Sequence, residues 1–170
     1  MKYNRFEELP VWRAATELAH RIHDITESPV FKGHGSLRDQ LERAAISIAN
    51  NIAEGFERGS TKELIHFLYI ARGSAGEVRS MLCFMEARPV FLNLKSEISN
   101  LKLKAENISR QLRGWADSLQ NSSIKGQKHL TEKEQTRYQR KRDREEFIRE
   151  LRQDRQSQSA EQGSVQRGES

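Results

Sequence analysis

Leu94, Ile98, Leu101, Ala105, Ile108, Leu112, Trp115 and Leu119 recur at alternating steps of four and three residues. Only a helix places such positions on one face, so this stretch must bury a stripe against other helices. Three earlier stretches have the same period. Val11, Ala15, Leu18, Ile22 and Ile25 form the first, ending near Pro29. Leu37, Leu41, Ala44, Ala45, Ile48 and Ile52 form the second, opened by Ser36 with Asp39 three residues on as a cap-like pair. The third stripe is Leu64, Phe67, Leu68, Ala71, Ala75, Val78, Leu82 and Met85, and Pro89 stops it. It opens with Ser60-Thr61-Lys62-Glu63, a capping box in which Ser60 and Glu63 satisfy each other's backbone amides.

No window shows sustained strand alternation, and the connections are short. Gly59 fits the position just past the second helix, with Ser60 immediately capping the third. The sequence therefore predicts an all-α fold, an antiparallel up-down four-helix bundle over residues 1–120. Residues 121–170 form a charged C-terminal extension rich in Arg, Gln, Ser and Glu. A solvated helix is expected around 132–155, with disorder from about 156 onward. Arg140, Lys141, Arg142 and Arg144 make this tail a candidate basic arm for RNA or an acidic partner.

The stretch "SIANNIAEGFERGS" places polar residues inside an apolar helix. At 100° per residue, Arg43, Ser47, Asn50, Asn51, Glu54 and Arg58 fall in one narrow ribbon. Ile46, Ala49, Ala53 and Phe56 widen the apolar arc well beyond what a surface helix needs. Such an arc implies burial on two sides, by a central position in the bundle or by another subunit. In the third helix, Tyr69, Gly73, Gly76, Ser80 and Phe84 lie opposite the core stripe, where a solvent face would carry Lys and Glu. A helix-interior glycine costs about 1 kcal/mol relative to alanine. Close approach of another backbone would offset that, so these residues are candidates for an oligomer contact.

These residues also carry a resemblance. "FEELPVWRAATELA", the "RAA-x-SI-x-x-NIAEG" block from Arg43 to Gly55 and "FL-x-IARGS-x-x-E" from Phe67 to Glu77 resemble the bacterial four-helix-bundle family of proteins encoded in 23S rRNA intervening sequences. The likeness covers about residues 6–120; the tail lies outside it. It implies assembly as a ring, typically a homopentamer. It also implies kinship with the accessory variability proteins of diversity-generating retroelements, which bind a reverse transcriptase and nucleic acid. It implies no catalytic activity.

The single cysteine, Cys83, excludes an intrachain disulfide and suits a reducing cytoplasm. The N-terminus carries charges where a signal peptide needs an apolar stretch. No apolar run reaches the roughly 18–20 residues that span a bilayer. A soluble, cytoplasmic protein with no membrane partner is expected. The formal charge of +5 divides into 17 Lys/Arg against 15 Asp/Glu in residues 1–120 and 12 against 9 in the tail. That balance alone gives weak support to nucleic-acid binding. Arg43, Arg58, Lys62, Arg72 and Arg79 become candidate phosphate contacts if a symmetric assembly multiplies them. The alternative is an interface ion network in which Arg43 and Arg58 pair with Glu54 and with Glu or Asp on neighbours.

No phosphate loop, nucleophile elbow or carboxylate pair is present, so catalysis is not expected. His20 and His23, one turn apart beside Asp24, lack the further ligands that a metal site needs, and neither metal nor cofactor is expected. Arg13 and His20 share a helix face at a spacing seen in helical ribonucleases, which leaves RNA cleavage as a remote alternative. The leading expectation is a non-enzymatic, homo-oligomeric accessory factor that associates with RNA or DNA. A protein-interaction scaffold is the alternative.

Overall fold

The computed structural model describes residues 3–121 and, beyond them, positions 140, 144, 146, 148 and 149. Four helices run through the first of these ranges: α1 (Pro10–Thr26), α2 (Gly35–Glu57), α3 (Thr61–Glu86) and α4 (Lys95–Gln120). Short 3-10 turns at Phe6–Glu8, Pro29–Phe31 and Pro89–Leu94 precede α1, α2 and α4. No β-strand element occurs among the described residues. Each helix packs on its chain neighbour, and α4 closes the set against α1. Connections this short force antiparallel neighbours, so the result is an up-down four-helix bundle.

The predicted stripes supply the core. Leu18, Ile22, Leu41, Ile48, Ile52, Leu68, Leu82, Met85, Ile98, Leu101, Ile108 and Leu112 are buried with small Ala15, Ala45, Ala71, Ala75 and Ala105 between them. The connections plug one end with aromatics: Phe31 and Phe91 lie 5.3 Å apart, ring centre to ring centre, with His34 at 5.6 Å from Phe91. Gly33, at φ 88°, makes the backbone turn that leads into α2.

Local details depart from expectation in four places. The cap-like pair Ser36 and Asp39 does not form; α2 starts at Gly35, and Asp39 instead bonds Arg38. Gly59 does not adopt a left-handed conformation, because extended Arg58 and extended Ser60 turn the chain without one. Half of the Ser60 capping box forms. The Ser60 hydroxyl oxygen accepts the Glu63 amide at 3.3 Å, but the Glu63 carboxylate takes the Ser60 hydroxyl at 2.7 Å rather than its backbone amide. In α4 the stripe rotates: Ala116 is buried while Trp115 and Leu119 are only half-buried. A 3.5-residue repeat drifts by about 20° per heptad on a straight helix, so the last turn of a long pattern leaves the seam.

α2 and α3 approach closely at Gly55. A Cβ built on Gly55 would lie 2.7 Å from the Phe67 Cβ and 3.3 Å from Leu64 Cδ1. The α1–α4 seam is instead rimmed by ion pairs, Arg21 with Glu97 and Lys104 with Glu17. The Lys104 ammonium, by hydrogen bond and charge, holds the Glu17 carboxyl below its ordinary value of 4.5.

The chain divides into two compact units, residues 1–128 and 129–170. In the second unit Arg140, Arg144, Glu146, Ile148 and Arg149 are helical and exposed. Lys141, Arg142, the remaining span of the expected 132–155 helix and the disorder expected from 156 lie outside the described residues. No helix among the described residues is long and apolar enough to cross a membrane.

Gly55→Ala is expected to destabilise the bundle by about 1–3 kcal/mol, the range for overpacking a core. Gly114→Ala, where a Cβ meets nothing within 4 Å, is expected to stabilise by up to about 1 kcal/mol; urea unfolding of both variants checks the contrast. Because the Glu17 carboxyl is lowered in the folded chain, its contribution is present above the unfolded value and is lost as pH falls through the lowered one. Lys104→Met should therefore remove part of the acid-side loss of stability, measured as a smaller drop in the urea midpoint between neutral and acid pH than in the parent chain.

Candidate functional site

The polar ribbon of α2 is not one strip, because its neighbours on either side differ. Ser47 and Asn51 face α3: the Ser47 and Ser74 hydroxyls lie 3.0 Å apart, and Asn51 Nδ2 donates to Ser47 O at 2.7 Å and Ser47 Oγ at 3.0 Å. Asn50, one residue away and rotated by 100°, lines the opposite groove with α1. Glu54 sits at the foot of the helix, where it accepts from Arg58 at 2.6 Å. Two of the six ribbon residues thus seal a helix crevice, while Arg43, Asn50, Glu54 and Arg58 remain exposed.

The candidate phosphate contacts also separate. The Arg58 guanidinium is held by Glu54, lies 3.7 Å from Glu63 and covers the Phe67 ring at 5.2 Å. The Glu54 hydrogen bond raises its already high pKa further. Arg79 reaches across to Glu106 of α4 at 3.6 Å. Arg43 and Lys62 are exposed and Arg72 half-buried, and none of the three forms an ion pair with a described residue. Within the chain, Glu54 therefore pairs with Arg58 and not with Arg43.

A groove of about 430 Å³ runs between α1 and α2. Trp12, Thr16, Ala19, Ile46 and Ala49 give it apolar walls, and His20, His23, Glu42 and Asn50 edge it. Towards its upper end the buried Thr26 hydroxyl bonds Glu42, whose carboxylate lies 3.6 Å from His23 Nδ1. His23 Nε2 is 3.9 Å from Glu27. No three His, Cys, Asp or Glu side chains among the described residues come together as a metal site. Arg13 does not line the groove that His20 lines; its Nε donates to the Glu7 carbonyl at 2.7 Å.

The expected oligomer residues divide by burial. Ala49 and Phe56, at 9% and 5% exposure, are covered by their own bundle, so the wide arc of α2 is consumed largely within the chain. Ala53 is half-buried. Ile46 stands 52% exposed at the rim of the groove. On α3, Tyr69, Ile70 and Phe84 are exposed, and nothing within 4 Å of Gly73 or Gly76 calls for glycine inside the chain. Tyr69 Oη accepts from Gln120 Nε2 of α4 at 3.2 Å. Arg88, one turn beyond Phe84, lies 5.7 Å over its ring. Sequence reasoning missed Glu42 and Arg88 because neither carries a periodic or motif signal. Their positions emerge only once helices pair.

Among the described residues, fold and surfaces define a helical bundle with two distinct exposed apolar faces, at Ile46 on α2 and at Tyr69, Ile70 and Phe84 on α3. The chain belongs to the 23S rRNA-intervening sequence protein family, whose model matches residues 7–114. Among solved structures it is similar to a protein of unknown function of the S23 ribosomal protein family from Bacteroides thetaiotaomicron VPI-5482. The two share 20% identity at a TM-score of 0.56, over 62% of this chain and 97% of that one, a likeness of fold. No curated protein matches the chain.

A double-mutant cycle tests the division of the ribbon. Ser47→Ala and Ser74→Ala should couple by about 0.5–1 kcal/mol in urea unfolding, as expected for a shared hydrogen bond. Asn50→Ala should be additive with Ser74→Ala within error.

Proposed function

We propose that the protein is a non-enzymatic, homo-oligomeric accessory factor that associates with nucleic acid, RNA or rRNA foremost, in the cytoplasm. The observation that carries this reading is that Arg43, Lys62 and Arg72 have no carboxylate partner among the described residues, on a chain of formal charge +5. Cations left unneutralised by their own fold are free to displace counterions from phosphates. Self-association multiplies them, and exposed Ile46 and Phe84 give it apolar surface to bury. Family membership adds the link to rRNA through the family's name. The ring, typically a homopentamer, and the kinship with retroelement accessory proteins that bind a reverse transcriptase are the finer form of the same proposal. The engagement of Arg13 by the Glu7 carbonyl supports a non-enzymatic role, since that guanidinium is not poised beside His20.

Titration with a structured RNA at two salt concentrations tests the reading. Binding is expected at about 50 mM salt, weaker by tenfold or more at about 200 mM. Arg43→Glu with Lys62→Glu should weaken low-salt binding at least threefold with the helical spectrum unchanged. Absence of binding at low salt overturns the nucleic-acid role. A cellular partner retained after nuclease treatment would point to a protein scaffold instead.

A further inference from the structure

At the lower end of the α1–α4 seam the chain encloses a second hollow, of about 360 Å³. Leu9, Pro10 and Val11 give it apolar walls, and Tyr3, Gln111 and Trp115 stand around it. Its polar groups are all unspent. The Tyr3 hydroxyl, the Gln111 amide and the Trp115 indole N–H have no hydrogen-bond partner among the described residues, and none of them is shut away from solvent. The α1–α2 groove differs, because its Glu42 is already bonded to Thr26 and stands beside His23. Trp115 is also displaced from the core: Ala116 takes the buried position of that turn, which leaves a large ring half-buried beside the hollow. Arg13 stands exposed three residues beyond Pro10, on the same face of α1. The Glu7 carbonyl holds its Nε at 2.7 Å, and its two terminal nitrogens have no carboxylate partner among the described residues.

We propose that this hollow takes one unpaired base of a single-stranded RNA, with Arg13 on the adjoining phosphate. This rests on the nucleic-acid association proposed above and names the part of the strand that is recognised. A base is flat, apolar on its faces and polar around its rim, which matches apolar walls with unspent polar groups at the opening. Trp115 offers a face on which the base stacks, and Tyr3 supplies a second ring. The Gln111 amide carries a donor and an acceptor side by side, the pairing that a base edge requires. With Nε fixed by Glu7, the Arg13 guanidinium is oriented in advance, and its remaining N–H donors meet a phosphate with two parallel bonds. A base inside a duplex does not enter, because its faces are covered by its neighbours and its edge by its partner. The site therefore selects single strands, loops and ends.

Titration of the full chain at about 50 mM salt with a single-stranded oligoadenylate, and with a blunt RNA duplex of equal length, tests this. Only the single strand should quench the fluorescence of Trp115, read in a Trp12→Phe variant where it is the sole tryptophan. Trp115→Ala and Tyr3→Ala should each weaken single-strand binding about fivefold or more, the lower end of what one stacked base contributes, and leave duplex binding unchanged. Trp115→Phe should keep most of it. Tyr3 lies ahead of all four helices, so its variant reads the slot even where Trp115→Ala loosens the bundle. Arg13→Gln should weaken single-strand binding and make it less steeply dependent on salt. RNA binding that neither Tyr3→Ala nor Trp115→Ala alters, with no quenching, overturns the inference and leaves nucleic-acid association standing. Quenching by a proline-rich peptide but not by the single strand assigns the slot to protein and overturns it too. A parent chain that binds neither RNA overturns both readings.

Discussion

Gly55 has no side chain because α3 already occupies the place where one would go. The Phe67 Cβ and the Leu64 side chain come so near the α2 backbone that the two helices touch main chain to side chain rather than side chain to side chain. The turn through Arg58, Gly59 and Ser60 holds them at that separation. Once α2 and α3 are fixed this closely, the rotation of each is fixed too, and everything outside the core follows. Ser47 and Asn51 must enter the crevice with Ser74, Asn50 must face α1, and Gly73, Gly76 and Phe84 must face away.

That rotation also separates the chain's charges. Arg58, beside Glu54 of its own helix, and Arg79 lie where neighbouring helices bring Glu63 and Glu106 to them, so they tie elements together. Arg43, Lys62 and Arg72 point where the bundle offers no acid among the described residues. A residue's type did not distinguish these groups; its angle on the helix and the identity of the next helix did. Exposed ion pairs of this kind contribute little stability, with a typical value of about 0–1 kcal/mol. Their use is orientation of the surface rather than strength.

The helices and their core stripes were legible in the sequence, because burial on one face imposes a 3.6-residue period that no other structure shares. The family likeness was legible in the block from Arg43 to Gly55, and the family model bears it out. Three kinds of detail were not. Backbone conformation at Gly59 and Ser36 depends on how neighbouring elements turn the chain, and glycine or serine there permits a cap without requiring one. The wide apolar arc of α2 looked like a surplus because one helix wheel does not show how much its own bundle covers; Phe56 is consumed inside. The groove needed the register of α1 against α2, which places Trp12 and His20 opposite Ile46 and Glu42 and has no signature within either helix.

Three of the four helix seams join segments that are adjacent in the chain, whereas the fourth pairs Glu17 with Lys104 and Arg21 with Glu97 across most of the bundle's length. Local seams close with little loss of chain entropy, and the distant one closes only after the others have brought its ends together. The order of assembly is thereby written into the topology, with the α1–α4 seam closing last. By the same reasoning α1 is the helix whose release disturbs the fewest other contacts. One wall of the groove is made from it, so whatever occupies that groove acts as a clasp on the last-closed seam's helix.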